Sequence, residues 1–131
     1  KGQGSYMNDT RLRVSGRYKM IEGLFSTGMP FGGRSDLPET LKELGRLLPV
    51  CSGVRRFGAA ALDLAYVAAG RYDGFWERNL NAWDIAAGVI IVKEAGGLVE
   101  PVTQGHNIIE DGEVICANDA MFSQLAKIVR A

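Results

Sequence analysis

Apolar positions in this chain change rhythm several times, and each change marks an element. Residues 37, 41, 44, 47 and 48 are apolar at helical spacing, which predicts a helix over 36–48. Asp36 is its candidate cap and Pro49 its stop. Short apolar runs predict strands over 11–14, 19–26, 50–57, 72–76, 98–102 and 113–117. Residues 27–33 carry three glycines and a proline and read as a loop, as do residues 79–81. A helix opened by Gly58 runs over 58–69, with Gly70 as its C-terminal glycine. Another follows Asp84 to about residue 95 and ends at Gly96-Gly97, and a last one, capped by Asp119, runs through residue 129. From residue 36 onward strands alternate with helices. That order predicts an α/β layered fold with helices packed on a sheet, with no internal repeat and no second domain.

Composition narrows the class. At 131 residues the chain is long enough for one domain with its own core. Fifteen basic and fifteen acidic residues cancel, so no net field draws it to nucleic acid or to a membrane surface. No apolar run is long enough to cross a bilayer, and no signal peptide is visible. Cys51 and Cys116 each sit in an apolar run and read as buried free thiols, which suits a reducing, cytoplasmic setting. The first residue is Lys1, in a polar, turn-like opening, so the chain reads as a piece of something longer.

Candidate chemistry concentrates in a few places. Asp84 stands at the mouth of a helix of small and aliphatic residues, Trp83-Asp84-Ile85-Ala86-Ala87-Gly88. A carboxylate there can cap the helix or bind a cation, and spacing alone leaves both uses open. Glu77 ends the aromatic strand seven residues earlier. It is either a solvated loop charge or a second carboxylate beside the same mouth. Gly58, Ala59 and Ala60 offer backbone N–H groups without bulky side chains, a helix start suited to phosphate or hydroxyl oxygens. The alanine-rich helix behind them is equally explained by close core packing. His106 lies in a turn-like segment without partners at ligand spacing, and Ser26 and Ser52 have no base nearby in sequence. Gly2-Gln3-Gly4 lacks the strand–helix context of a dinucleotide fingerprint.

These residues also carry a resemblance. Trp83-Asp84-Ile85-Ala86-Ala87-Gly88, with Ile90 and Glu94-Ala95-Gly96-Gly97, resembles the C-terminal signature of the inositol monophosphatase family. The run from Gly58 to Arg71, the strand Asp73-Gly74-Phe75-Trp76-Glu77 and the loop Thr27-Gly28-Met29-Pro30-Phe31 are similar to bacterial members. Lys1-Gly2-Gln3-Gly4, Asn8 and residues 11–15 match the start of the family's C-terminal half. The nearest subgroup is the bacterial extragenic-suppressor type. The resemblance implies the C-terminal part of a layered α/β/α/β/α sandwich, shared with fructose-1,6-bisphosphatase. It implies a Mg²⁺-dependent, lithium-sensitive phosphomonoesterase acting on inositol monophosphate, usually a homodimer. On it, Asp84 matches a metal-ligating aspartate and Glu77 a glutamate that hydrogen-bonds substrate hydroxyls. Gly58, Ala59 and Ala60 match the helix start that contacts substrate. Position 59 is often threonine or serine in relatives, and here it is alanine; Asn81 falls where some relatives carry histidine. The family's N-terminal half supplies a metal-binding glutamate and an Asp-Pro-x-Asp-Gly-Thr-like loop, neither of which occurs in these residues. The main catalytic apparatus would therefore lie outside this chain, and the isolated piece would be a non-catalytic module. Related fructose-1,6-bisphosphatase, histidinol-phosphate phosphatase and 3′(2′),5′-bisphosphate nucleotidase activities are the alternatives.

Overall fold

A computed structural model describes residues 2–28 and 37–131. A two-stranded antiparallel ladder comes first, β1 (Tyr6–Met7) against β2 (Thr10–Arg11). The main sheet follows, with β3 (Leu24–Thr27), β4 (Gly53–Arg55), β5 (Gly74–Glu77), β6 (Leu98–Glu100) and β7 (Val114–Ala117). Its spatial order is β4-β3-β5-β7-β6. β3 runs parallel to both β4 and β5, while β7 is antiparallel to β5 and to β6.

Side chains alternate across these strands, so each face of the sheet collects its own core. Phe75, Val114 and Cys116 face helices α2 (Ala60–Ala68) and α3 (Ala82–Glu94), joined by Leu64, Val67, Ile85 and Val92. Trp76, Ile115 and Ala117 face α1 (Leu37–Leu47) and α5 (Phe122–Arg130), joined by Leu47, Met121, Leu125 and Val129. A sheet covered on both faces explains why β7 is apolar at every position rather than alternating with polar residues. A short α4 (Ile108–Asp111) precedes β7.

Glycine ends both site-side helices. In α2, Gly70 at φ +78 donates its N–H to Val67 O, and Arg71 N reaches Tyr66 O. In α3, Gly96 at φ +93 and Gly97 repeat that pattern onto Lys93 O and Val92 O. Both are left-handed closures that satisfy otherwise orphaned carbonyls.

One buried carboxylate fixes the opposite end of the sheet. Asp73 is fully buried. It accepts from Arg17 Nε at 2.8 Å, from Leu24 N at 2.8 Å, and from the Ser15 hydroxyl. Asn118 donates to Ser15 Oγ at 2.8 Å and to Arg17 O at 2.9 Å, closing a network over the starts of β3 and β5 and the end of β7.

The element order agrees with the sequence pattern, and several bounds do not. Residues 12–19 form no strand, although a strand was predicted over 11–14. Their polar groups are taken up by the Asp73 network and by single bonds such as Val14 N to Ala95 O at 3.1 Å, not by a ladder. Residues 20–22 form a 3₁₀ turn, so the strand predicted over 19–26 begins only at Leu24. α2 starts at Ala60, because Gly58 at φ +90 lies outside helical geometry. Asp119 does not cap the last helix. The turn before it is capped by Asn118, whose Oδ1 accepts from Met121 N at 2.8 Å. The predicted cap Asp36 lies outside the described residues. Both cysteines are buried and free, as predicted.

Replacing Asp73 with alanine leaves Arg17 and the Leu24 N–H without their partner and should cost about 3 kcal/mol. Lys42→Ala, which breaks an exposed pair with Glu39 at 3.8 Å, should cost less than about 0.5 kcal/mol. Urea unfolding of the full-length protein compares them, and equal effects would contradict the hub role of Asp73.

Candidate functional site

Three parallel strands must end on the same edge of their sheet. β3 ends at Thr27, β4 at Arg55 and β5 at Glu77, so residues 27–28, 56–60 and 77–84 leave from one side. In open α/β sheets this carboxyl-end edge is where ligands bind. α2 and α3 both start there and return over the same face.

The two helices approach closely. A Cβ at Gly88 would stand 2.5 Å from Leu64 Cδ1, so only glycine admits this contact. One turn back toward the edge from that contact lie Ala60 and Asp84. The structure thus brings the start of α2 and the start of α3 side by side.

At the mouth of α2, Ala59 is the N-cap and offers no side-chain acceptor. The N–H groups of Leu62 and Asp63 turn inward to Ala59 O, each at 3.0 Å. The N–H groups of Ala60 and Ala61 precede the first intrahelical bonds and keep the positive end of the helix open.

Asp84 occupies the third position of α3, not its cap; Asn81 is the cap. The Asp84 carboxylate reaches back to Asn81 N at 3.0 Å, the returning arm of a capping box. Only Oδ2 is engaged in this bond, and the side chain is half-buried. Capping and ligation are therefore compatible, since one oxygen can hold the helix while the other faces the edge.

Glu77 shares the face of Phe75 by the two-residue period. Its carboxylate lies over Gly28, where an added Cβ would come within 2.1 Å of Glu77 Cδ. Glycine at 28 is thus the condition for Glu77 to cross from the end of β5 to the end of β3. Glu77 is half-buried and has a partner, so it is not the freely solvated charge that its position at a strand end permits.

Two neighbours escaped the sequence reading. Asp63, in the first turn of α2, is almost wholly buried. Its Oδ1 accepts from Ser26 Oγ at 2.7 Å and its Oδ2 has no partner among the described residues. Burial raises its pKa to about 6, against a smaller opposing effect of the Ser26 hydroxyl. Ser26 therefore has a carboxylate beside it after all, but the hydroxyl is fully buried and no substrate can reach it. The second neighbour is the turn before β7. Leu80 N donates to Gly112 O at 2.8 Å, and a Cβ on Gly112 would stand 2.2 Å from Leu80 O. His106 closes the turn before α4, with Nδ1 3.2 Å from Glu113 Oε1, so its role is local. The polar helix Asn107–Asp111 gave no apolar rhythm to reveal it, but Asn107 followed by Asp111 and Gly112 is a cap-to-glycine signal.

Among the described residues, no three His, Cys, Asp or Glu side chains are grouped so as to hold a metal ion. Asp84 can supply one ligand from this chain. No helix is long and apolar enough to cross a membrane.

The model of the inositol monophosphatase family matches residues 1–131. An inositol-1-monophosphatase of Mesorhizobium japonicum is 48% identical over 130 residues, covering 99% of this chain and 49% of that protein. A Nus factor SuhB of Pseudomonas aeruginosa is 45% identical over 132 residues, covering 99% of the chain and 49% of its own length. The crystal structure of extragenic suppressor protein suhB from Bartonella henselae superposes with a TM-score of 0.92 at 44% identity. That match covers 98% of this chain and 50% of the other. The chain spans about half the length of the curated relatives it matches.

A buried acid with a raised pKa favours the folded state at low pH. Its contribution is complete below the ordinary value of 3.8 and is lost as pH rises through about 6. Asp63→Asn should therefore gain on the parent protein as pH rises, by about 2 kcal/mol between pH 4 and 7. Denaturant unfolding across that range measures the difference. A difference that does not change with pH would contradict a neutral, buried Asp63.

Proposed function

The chain belongs to the inositol monophosphatase family, and from that premise we propose that the whole protein is a Mg²⁺-dependent phosphomonoesterase. Its substrate would be an inositol monophosphate, hydrolysed to inositol and phosphate. The observation that carries the reading is the meeting of Gly58–Ala60, Glu77 and Asp84 at one sheet edge. Each brings different chemistry to that place.

Asp84 would hold the ion through a hard oxygen, the ligand type Mg²⁺ prefers. Its half-buried position and single engaged oxygen fit that use. When bound there, the ion would activate water and offset the charge developing on the phosphoryl oxygens. The amides at the start of α2 would meet phosphate or hydroxyl oxygens, a task made easier by alanine at 59 and 60. The carboxylate of Glu77 would accept hydrogen bonds from substrate hydroxyls and so orient the ring. Further metal ligands, and the water-positioning groups, would come from residues outside this chain.

The surface of α2 and α3 away from the sheet supports this division. Trp83 and Leu62 are exposed, and Ile90, Tyr6 and Met7 are exposed and line one shallow apolar cleft. Exposed apolar side chains in this number call for a cover. The remaining half of a longer protein would provide it, completing the layered sandwich. A homodimer is the second element of the proposal, carried by family likeness alone. The names of relatives, inositol-1-monophosphatase and Nus factor SuhB, also leave room for a reading in which the protein serves as an interaction module. The same exposed face favours that reading.

Asp84→Asn separates the two. In the full-length protein it should lower kcat/KM at saturating Mg²⁺ by more than about a hundredfold, beyond what loss of an outer-shell partner usually costs. The helix loses one cap bond, about 1 kcal/mol, and remains folded. Near-parental turnover by a folded variant would sink the assignment of Asp84 to the metal.

A further inference from the structure

Glu77 is one residue in a strand, yet both of its neighbours are tied to a single buried carboxylate on the far side of the sheet. Glu43, on α1, is 1% exposed. It accepts Trp76 Nε1 at 2.9 Å and Arg78 Nη1 at 3.0 Å on one oxygen, and Arg78 Nη2 on the other. The arginine contact is a bidentate fork, the stiffest ion-pair geometry available to a carboxylate. The bond to Glu43 holds the Arg78 guanidinium above its ordinary pKa. Main-chain contacts extend the clamp, since Trp76 O also accepts the Thr27 hydroxyl at 2.7 Å.

This arrangement has a geometric consequence. Trp76 and Arg78 point to the α1 face, and Glu77 between them must point to the α2/α3 face. Anchoring two alternate residues removes the twist that would let Glu77 swing. Beyond Arg78 the loop is gripped again, where Leu80 N meets Gly112 O. Asn79 between the two grips sits at φ +61, a left-handed turn that directs the chain toward the start of α3 and Asp84.

We propose that Glu43, through its fork to Arg78 and its bond to Trp76, is a positioning residue that sets the orientation of Glu77 toward substrate hydroxyls. The inference rests on the substrate-side role of Glu77 proposed above. A helix on the face of the sheet opposite α2 and α3 would thereby govern selection between hydroxylated and plain phosphate esters. Glu43 touches no substrate.

The test uses full-length protein and two substrates, inositol 1-phosphate and p-nitrophenyl phosphate, which has no ring hydroxyls. The readout is the ratio of kcat/KM for the first to that for the second. Glu77→Gln sets the reference loss. Glu43→Gln should lower the ratio about tenfold, mostly through a higher KM for inositol 1-phosphate. Arg78→Lys keeps the charge but loses the fork, and should lower the ratio in the same direction. Should Glu43→Gln prove unstable, Arg78→Lys carries the test. The double variant Glu43→Gln/Glu77→Gln should be no worse than Glu77→Gln alone, because a residue acting only through another is not additive with it. Additive losses, or a ratio kept by both Glu43→Gln and Arg78→Lys, would overturn the inference alone. A ratio unchanged by Glu77→Gln would remove the substrate-side reading of Glu77 and the inference with it.

Discussion

Parallel pairing of β3 with β4 and with β5 is the constraint on which the site depends. Parallel strands cannot be joined by a hairpin, so each connection must cross back over a face of the sheet. α2 makes that crossing between β4 and β5, and α3 leaves the end of β5 on the same face. Two helix starts and a strand-end carboxylate thereby come to one edge without any contact between them being required in sequence. The antiparallel β7 then seals the other flank of β5 and brings Gly112 against the Leu80 backbone.

The packing that permits this edge is built from small residues. Gly88 lets α3 rest on Leu64, and Gly28 leaves room for the Glu77 carboxylate. Neither position would accept a methyl group without displacing its neighbour. Polar groups at the interior are handled less evenly. Asp73 is well partnered, while Asp63 keeps an oxygen without a partner among the described residues. Burial makes the Asp63 carboxyl take up a proton more readily than an exposed one, and below about pH 6 that removes the charge burial penalises.

Much of this was legible in the sequence, for identifiable reasons. Helical spacing found α1, glycine closures found the ends of α2 and α3, and apolar runs found β5 and β7, because those elements face the core directly. The candidate site residues Asp84, Glu77 and Gly58–Ala60 were visible as chemistry at helix mouths and strand ends, and the fold supplies their common edge. What sequence could not supply was pairing across distance. Glu43 and Arg78 are thirty-five positions apart, and each alone reads as a solvated charge on its element. Residues 11–14 mimic a strand because their apolar side chains alternate, but only Arg11 pairs in a ladder, and Leu12 N and Val14 N bond singly to Ser5 O and Ala95 O. Asp84 looked like a cap from its place before an apolar run, and it is a third-position residue reaching back to Asn81. The helix starts three residues earlier, at Ala82, and runs its first turn into the solvent, with Trp83 80% exposed.

Whether Asp84 serves the helix alone or also an ion is decided most directly by locating the ion. Crystals of the full-length protein grown with Mn²⁺ in place of Mg²⁺ give an anomalous signal at each bound metal. The arrangement at the sheet edge predicts a peak within about 2.2 Å of an Asp84 carboxylate oxygen, with the bond to Asn81 N retained through the other. Metal peaks held wholly by other residues, with no Asp84 oxygen in coordination, would contradict it.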